Sequence, residues 1–145
     1  AGEGWGLYAE RLASEMGLYE NDPVDDQGRL QAELHRAVRL VVDTGLHAMG
    51  WSREQAIEYS TATEGIHLSE ATSEIERYVV WPGQALGYKL GMLKILELRR
   101  RAQEQLGEQF DIRAFHDRIL EHGALPLNQM EAKIDAWIAG QRQAP

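Results

Sequence analysis

The sequence predicts an all-α protein, a multi-helix bundle of about seven helices that forms one domain over residues 1–145. Apolar residues recur at three- and four-residue spacing along almost the whole chain, as they do on the buried face of a helix. No segment shows the sustained alternation of apolar and polar residues that is typical of a strand. The length of 145 residues and the hydrophobic content of 43% suit a single globular domain with a sizeable core.

The first two helices are predicted from apolar stripes. The first stripe begins close to the start of the sequence and consists of Trp5, Tyr8, Leu12, Met16 and Tyr19. The segment Asn21-Asp22-Pro23 predicts a break after it. The second helix is predicted from about Asp26 to Gly50, with an apolar face of Leu30, Leu34, Val38, Val41, Gly45 and Met49.

The third and fourth helices are predicted from their end signals. Ser52 and Gln55 have the spacing of a capping box, in which each side chain bonds the other residue's backbone N–H. Gly65 predicts the end of the third helix. Ser69 is predicted to open the fourth helix, and Pro82 to close it.

Three further helices complete the predicted bundle. The fifth is long, from about residue 84 to 106, and Gly107 predicts its end. Asp111 is placed to cap a sixth helix that stops near Gly123, and Pro126 suits the first turn of a seventh. The buried stripe of the seventh helix is predicted to be Leu127, Met130, Ile134 and Trp137.

Composition excludes several classes of protein. The chain has 23 acidic and 15 basic side chains, a net charge of −8, which argues against binding nucleic acid through its phosphates. No apolar run reaches the roughly 20 residues that a membrane span requires. The absence of cysteine excludes disulfides, thiolate zinc sites and cysteine nucleophiles. The compartment, cytoplasmic or exported, is left open.

A stripe of polar residues runs along the second helix, which is apolar nearly all round between Ala37 and Val42. Arg39, Asp43 and His47 follow one another at four-residue spacing, so they lie on one side of that helix. Buried charge costs several kcal/mol unless it is paired, so this stripe needs partners or a water-filled cleft. Spacing alone leaves two interpretations open, an internal ion-pair network and the wall of a functional site.

The start of the fifth helix is rich in glycine. Gly83, Gly87 and Gly91 recur every four residues and predict a smooth stripe that another backbone or a ligand could approach closely. Tyr88 and Gln84 share a second stripe. A helical tyrosine can donate its hydroxyl to a developing oxyanion. A core tyrosine whose hydroxyl has a partner remains the alternative.

Glu3 is a carboxylate among glycines, with open space around it as a metal ligand requires. A solvated glutamate that complements a helix dipole is the alternative. The sequence contains no HExxH zinc motif, no GxSxG elbow and no GxxxxGK[ST] phosphate loop. On these residues alone, no complete active site can be assembled.

Several collinear segments resemble a bacterial family known as domain of unknown function (DUF) 885. They run through the N-terminal segment around Glu3-Gly4-Trp5 and continue at Arg39–His47 and Trp51–Ala56. They resume at Glu76–Tyr78, Trp81–Lys89 and Gly91, and end at Phe110–His116 and Gly123–Leu127. Together these segments extend over essentially the whole chain.

The resemblance implies a zincin-like metallopeptidase-related protein. Relatives carry an HExxPGH-type zinc motif shortly before the segment that contains Glu3, so Glu3 is the implied third zinc ligand. This sequence lacks that motif, so we expect it to be the C-terminal half of a larger helical zincin-like fold, inactive alone and without bound zinc. The resemblance also implies that a peptide is the substrate.

The same resemblance suggests roles for five further residues. We expect His47 and Tyr88 to stabilise the oxyanion, and Arg77, Tyr78 and Gln84 to line the substrate cleft. Among these, Arg77 is expected to hold a peptide carboxylate.

Two functions remain in competition, the peptidase portion and a non-enzymatic helical scaffold or interaction module. If a catalytic helix is missing from its groove, Trp5, Tyr8 and neighbouring surfaces should be uncovered. We would then expect the missing N-terminal half, or a second copy of the chain, to occupy that groove.

Overall fold

The computed structural model describes residues 2–143, and this part of the chain is helical without strands, which confirms the all-α prediction. Seven α-helices follow one another as predicted. They are α1 (Gly2–Glu15), α2 (Pro23–Ala48), α3 (Arg53–Glu64), α4 (Leu68–Val80), α5 (Gly87–Leu106), α6 (Ile112–Leu120) and α7 (Leu127–Gln143). Short 3-10 turns, Gln84–Leu86 and Gly107–Gln109, lie on either side of α5. Over residues 2–143, no helix has both the length and the apolar character of a membrane span.

The first helix ends earlier than its apolar stripe predicts. It stops before Met16, whose side chain is 69% exposed. Gly17 has a φ of +81°, a left-handed conformation that glycine adopts without steric cost. Leu18 then donates its N–H to the carbonyl of Ala13 at 3.1 Å, the bond pattern of a Schellman helix end. The glycine therefore outweighs the apolar periodicity.

The second helix begins earlier than predicted. Asp22 caps it by accepting the backbone N–H of Asp25 at 3.0 Å, and Pro23 occupies the first turn. The Asp-Pro pair therefore starts a helix besides separating two. Of the predicted apolar face, Val38 and Gly45 are buried, whereas the remaining side chains are 37% to 67% exposed: Leu30, Leu34, Val41 and Met49.

Two predicted caps are confirmed by their hydrogen bonds. Gln55 donates its N–H to Ser52 Oγ at 3.1 Å and accepts the Ser52 N–H on Oε1 at 2.8 Å. Asp111 accepts the N–H of Arg113 at 2.7 Å. The fourth helix begins at Leu68, one residue before the predicted Ser69, and without a side-chain cap.

The helices bury two separate groups of apolar residues. The large core joins α1, α5, α6 and α7, and its buried members are Leu7, Tyr8, Met92, Ile95, Leu98, Ala102, Leu106, Phe115, Ile119, Met130, Ile134 and Ile138. The small core joins α2, α3, α4 and the first 3-10 turn, and its buried members are Val38, Val42, Ala56, Ile57, Ala71, Ile75, Tyr78 and Ala85.

Helices α1 and α5 pack in parallel and in very close contact. A Cβ atom at Gly4 would lie 2.4 Å from the backbone of Gly91, so neither helix could approach this closely with a side chain there. Eleven residues further along α1, Glu15 binds Arg99 of α5 at 2.7 Å. This packing places the first turn of α1 beside the first turns of α5. Of the predicted glycine stripe, Gly91 alone makes such a contact, since a Cβ at the other two positions would meet open space.

Candidate functional site

The polar stripe on α2 is deeply buried at two of its three residues. Arg39 is 5% exposed and Asp43 is 2% exposed. Both carboxylate oxygens of Asp43 accept the backbone N–H of Gly83, each at 3.2 Å. Gly83 has a φ of +81° in the turn between α4 and α5, so Asp43 fixes that turn against α2.

Arg39 is held by neutral groups. Its Nη2 donates to Gln84 Oε1 at 2.9 Å. Its guanidinium lies over the rings of Tyr78 and Tyr88, 5.3 and 4.8 Å from their centroids. Within residues 2–143, neither Arg39 nor Asp43 has an oppositely charged group within the 4.0 Å of an ion pair. An internal ion-pair network therefore does not account for the stripe.

The two tyrosines beside Arg39 differ in the hydrogen bonding of their hydroxyls. Tyr78 is buried, and its hydroxyl donates to Glu74 Oε2 at 2.7 Å. Burial, and then the hydrogen bond to this carboxylate, raise the pKa of Tyr78 well above its ordinary value. Tyr88 is half-buried, with its ring also against Arg36 at 5.5 Å. Its hydroxyl makes no hydrogen bond to any residue in the described part of the chain, so it is available to another molecule.

His47 lies at the end of the same stripe. Its Nε2 is 2.9 Å from the backbone oxygen of Tyr78. A carbonyl oxygen can only accept, so Nε2 carries the hydrogen and Nδ1 is the remaining ring nitrogen. In a neutral ring Nδ1 accepts a proton and cannot donate one. A hydrogen bond from His47 to an oxyanion, as predicted, would therefore require a hydrogen on Nδ1 as well.

Arg77 and Gln84 complete the predicted group. The Arg77 side chain is exposed, 3.7 Å from Glu74 Oε1, and its guanidinium stands 5.9 Å from the Tyr78 ring centroid. Gln84 uses its amide oxygen on Arg39 and keeps its amide nitrogen as a donor. The structure therefore brings five predicted residues to one place, where α2, the end of α4 and the start of α5 meet: His47, Arg77, Tyr78, Gln84 and Tyr88.

Glu3 is exposed in the first turn of α1, one residue before the Gly4–Gly91 contact. It therefore lies at the same end of α5 as Tyr88, which is one turn before Gly91. No group of three or more metal-ligating side chains is assembled among residues 2–143.

Two contributors to this place were not predicted from the sequence. Arg36 stacks on Tyr88, and Glu74 binds both Tyr78 and Arg77. Helical spacing could have identified them, since Arg36 precedes Arg39 by three residues and Glu74 precedes Tyr78 by four.

A second polar cluster lies at the edge of the large core. The Tyr8 hydroxyl is 2.8 Å from His116 Nε2 and accepts from Arg99 Nη1 at 3.3 Å. Burial raises the pKa of Tyr8 and lowers that of His116, which the positive charge of Arg99 lowers further. The prediction that Tyr8 is uncovered is wrong, because it is 0% exposed, and Trp5 is half-buried against Tyr8 and His116. No sequence signal links residues 108 positions apart.

Comparison with known proteins gives two matches. The sequence matches, over residues 1–134, the family described as "Bacterial protein of unknown function (DUF885)". It is also similar to the crystal structure of a protein described as "the putative lipoprotein from Colwellia psychrerythraea", with 57% identity and a TM-score of 0.91. That similarity covers 95% of this chain and 24% of the other, so this chain spans about a quarter of that relative's length. No curated protein matches it. The chain belongs to the DUF885 family of bacterial proteins.

Proposed function

We propose that this chain forms the substrate-binding wall of a zinc-dependent peptidase. The observation that carries the proposal is the free hydroxyl of Tyr88, on a ring that packs against the guanidiniums of Arg36 and Arg39. A hydroxyl donor beside fixed positive charge suits the negative charge that develops on a peptide carbonyl during hydrolysis.

Glu3 would supply one zinc ligand in this proposal, and the remaining ligands would come from outside residues 2–143. A bound zinc ion polarises a carbonyl and activates water for attack. The exposure of Glu3 and its position near the first turns of α5 are compatible with a ligand that reaches into a shared cleft.

The other residues of the wall have separate tasks. His47 would exchange a proton through Nδ1, because Nε2 is held by the carbonyl of Tyr78. Arg77, at the rim, would attract a carboxylate of the substrate into the cleft by its positive charge. Tyr78 and Gln84 would act by holding Arg39 in position.

A helical interaction module without catalysis is the second candidate. The observation that favours it is the exposed apolar run at the end of α4, where the side chains of Val79, Val80 and Trp81 are all substantially in solvent. Such a run suits a protein contact as well as it suits a substrate.

The proposal is tested in the natural gene product that contains this sequence. We expect Tyr88→Phe to keep zinc and stability but to lower kcat roughly 10²–10³-fold, as the loss of one oxyanion donor does. Tyr59→Phe is the matched control, since Tyr59 lies on α3 with its ring against Trp51, and its kcat should not change. Equal activity of the two variants would remove Tyr88 from the mechanism.

Zinc ligation by Glu3 has its own test in the same protein. Glu3→Gln should sharply weaken zinc binding, because an amide is a poorer ligand for a dication than a carboxylate. Glu108→Gln, at another exposed glutamate, should leave metal content unchanged. Full zinc and full activity in Glu3→Gln would contradict the ligand assignment. The isolated 145-residue chain is expected neither to bind zinc tightly nor to hydrolyse peptides.

A further inference from the structure

A cleft of about 460 Å³ lies between α2 and α4, next to the tyrosines described above. Its α2 wall carries Arg36 and Arg39, and its α4 wall carries Arg77 beside Glu70 and Glu74. The cleft thus gathers three guanidiniums from two helices.

Two tyrosine rings separate these guanidiniums. The order is Arg36, Tyr88, Arg39, Tyr78 and Arg77, with each guanidinium 4.8 to 5.9 Å from the neighbouring ring centroid. The faces of aromatic rings attract cations, which holds Arg36 and Arg39 in place without neutralising them, whereas Arg77 also pairs with Glu74 at 3.7 Å. Positive charge therefore accumulates along the cleft.

The deep end of the cleft is not neutralised by the protein. Arg39 is 5% exposed, has no ion pair among the described residues, and its Nε has no hydrogen-bond partner. The Nε of Arg36 is also buried without a partner. Glu74 is committed to Tyr78 and Arg77, and Glu70 is exposed at the surface. A buried, unpaired guanidinium is costly, so a site of this kind calls for an anion.

We propose that this cleft binds the free C-terminal carboxylate of a peptide, with Arg39 as the principal anion-binding residue. A guanidinium donates two parallel hydrogen bonds to a planar carboxylate, and the amide nitrogen of Gln84 provides a further donor beside it. Arg36 and Arg77 contribute positive charge around this position.

The inference rests on the proposed peptidase function for the identity of its ligand, and it specifies the end of the substrate. Tyr88 contacts Arg39, with the ring centroid 4.8 Å from the guanidinium. An extended peptide spans roughly 3.5 Å per residue. A carboxylate on Arg39 would therefore leave only one or two residues between itself and the carbonyl at Tyr88, which is the pattern of an enzyme that removes short C-terminal pieces.

The test measures binding without turnover, so that it is independent of zinc and of catalysis. The arginine Nε–Hε signals of the metal-free 145-residue chain are followed by NMR during titration with N-acetyl-dialanine, and separately with its C-terminal amide. We expect the acid to shift the Arg39 signal saturably and the amide to leave it unchanged. Equal effects of acid and amide, or none, would overturn the proposal even if the natural protein is an active peptidase.

Variants assign the effect to the cleft. Arg39→Met should weaken binding of the acid at least about tenfold, as the loss of a charged hydrogen bond does. Arg36→Met is the second variant, and we expect weaker binding there too. Arg100→Met, on the exposed side of α5, removes the same charge and should not change binding. An equal loss in Arg100→Met would show an effect of net charge alone and would overturn the assignment.

A final titration with inorganic phosphate distinguishes the source of the anion. We expect phosphate to compete weakly with the acid, because a peptide also contacts the walls of the cleft. Phosphate binding without any binding of N-acetyl-dialanine would reject the peptide carboxylate. Binding of the acid by this chain, together with no peptidase activity in the natural protein that contains it, would support the carboxylate site and reject only the proposed function.

Discussion

The large core and the small core are both formed by packed helices, but they differ in the polar residues that are buried in or beside them. In the large core, twelve buried side chains from four helices are apolar except for the Tyr8 hydroxyl, and charged pairs such as Arg101 with Glu131 and Asp135 stay at the surface. The small core has eight buried apolar members. The buried polar residues of the described chain, Arg39, Asp43 and Ser60, all come from α2 and α3 beside it.

This difference indicates that one region mainly stabilises the fold and that the other mainly binds a ligand. An apolar core stabilises a fold in proportion to the surface it removes from water, whereas an unpaired buried charge lowers stability. Proteins accept such a loss where a site requires it. We therefore attribute most of the stability to the large core, and the binding chemistry to the region around α2, α4 and the start of α5.

The largest expected effect lies in the large core. Phe115 is fully buried and packs against Phe110 and Trp137. Phe115→Ala should lower the free energy of unfolding by about 3–5 kcal/mol, through lost burial and the cavity left behind. Urea unfolding followed by circular dichroism measures this loss. A loss under about 1 kcal/mol would contradict the role given to the large core.

The contact between α1 and α5 gives the next effect. Gly4→Ala would place a Cβ 2.4 Å from the Gly91 backbone, so the helices must separate. We expect a loss of about 1–3 kcal/mol in unfolding free energy. Gly6→Ala is the matched control two residues away, with open space at its Cβ. It should raise stability by up to about 1 kcal/mol through helix propensity. The same sign for both variants would contradict the close packing.

A substitution of Asp43 tests how much the region of the small core contributes to stability. In Asp43→Asn the Gly83 N–H loses a charged acceptor, and we expect unfolding free energy to fall by about 1–2 kcal/mol. Asp135→Asn is the control, because its pair with Arg101 is exposed and should be worth under about 1 kcal/mol. Equal losses of unfolding free energy in the two variants would mean that the buried Asp43 carboxylate stabilises the fold no more than an exposed one does.

The smallest effect is a dependence of stability on pH through His116. Burial, and then Arg99, lower the pKa of this histidine in the folded protein below its ordinary value of 6.5. The unfolded chain then takes up the proton first, so stability is fully present above about pH 6.5 and falls as the pH drops below it. The fall in Tm between about pH 8 and about pH 5.5 should be smaller in His116→Gln than in the natural sequence. An identical fall in Tm in both proteins would show that His116 does not contribute to the pH dependence of stability.

The carboxylates of the surface network do not obscure that measurement. Lys94 and Arg101 lower the pKa of Glu97, and the same two residues lower that of Glu131, below their ordinary value of 4.5. Lys133 lowers the pKa of Glu121 in the same way. The stability linked to these groups is present above about pH 4.5 and is lost only at lower pH.

The fold was predictable where local signals decide it. The capping residues Ser52 and Asp111 start α3 and α6 as predicted, because a cap is set by a few neighbouring residues. The end of α1 was not predicted from its stripe, because the left-handed Gly17 acts locally against a continuing apolar pattern. The exposed Leu30 and Leu34 show that periodicity alone does not identify the buried face.

The candidate site was predictable in part. The four-residue spacing on α2 identified Arg39 and Asp43 as unusual, but their partners Gln84 and Gly83 lie 40 or more residues away and follow from tertiary packing alone. The free hydroxyl of Tyr88 and the occupied hydroxyl of Tyr78 are likewise set by contacts between helices, which spacing along the chain cannot distinguish.

The central claim is that the buried charge of Arg39 serves a ligand and not the fold. The most direct test is the unfolding free energy of Arg39→Met, which keeps a long apolar side chain between Tyr78 and Tyr88 and removes the unpaired charge. We predict a stability within about 1 kcal/mol of the natural sequence, or higher, because an apolar side chain of similar volume often matches a buried charge or improves on it. A loss of about 3 kcal/mol or more would show that the fold depends on this guanidinium, and would contradict the division between the two cores.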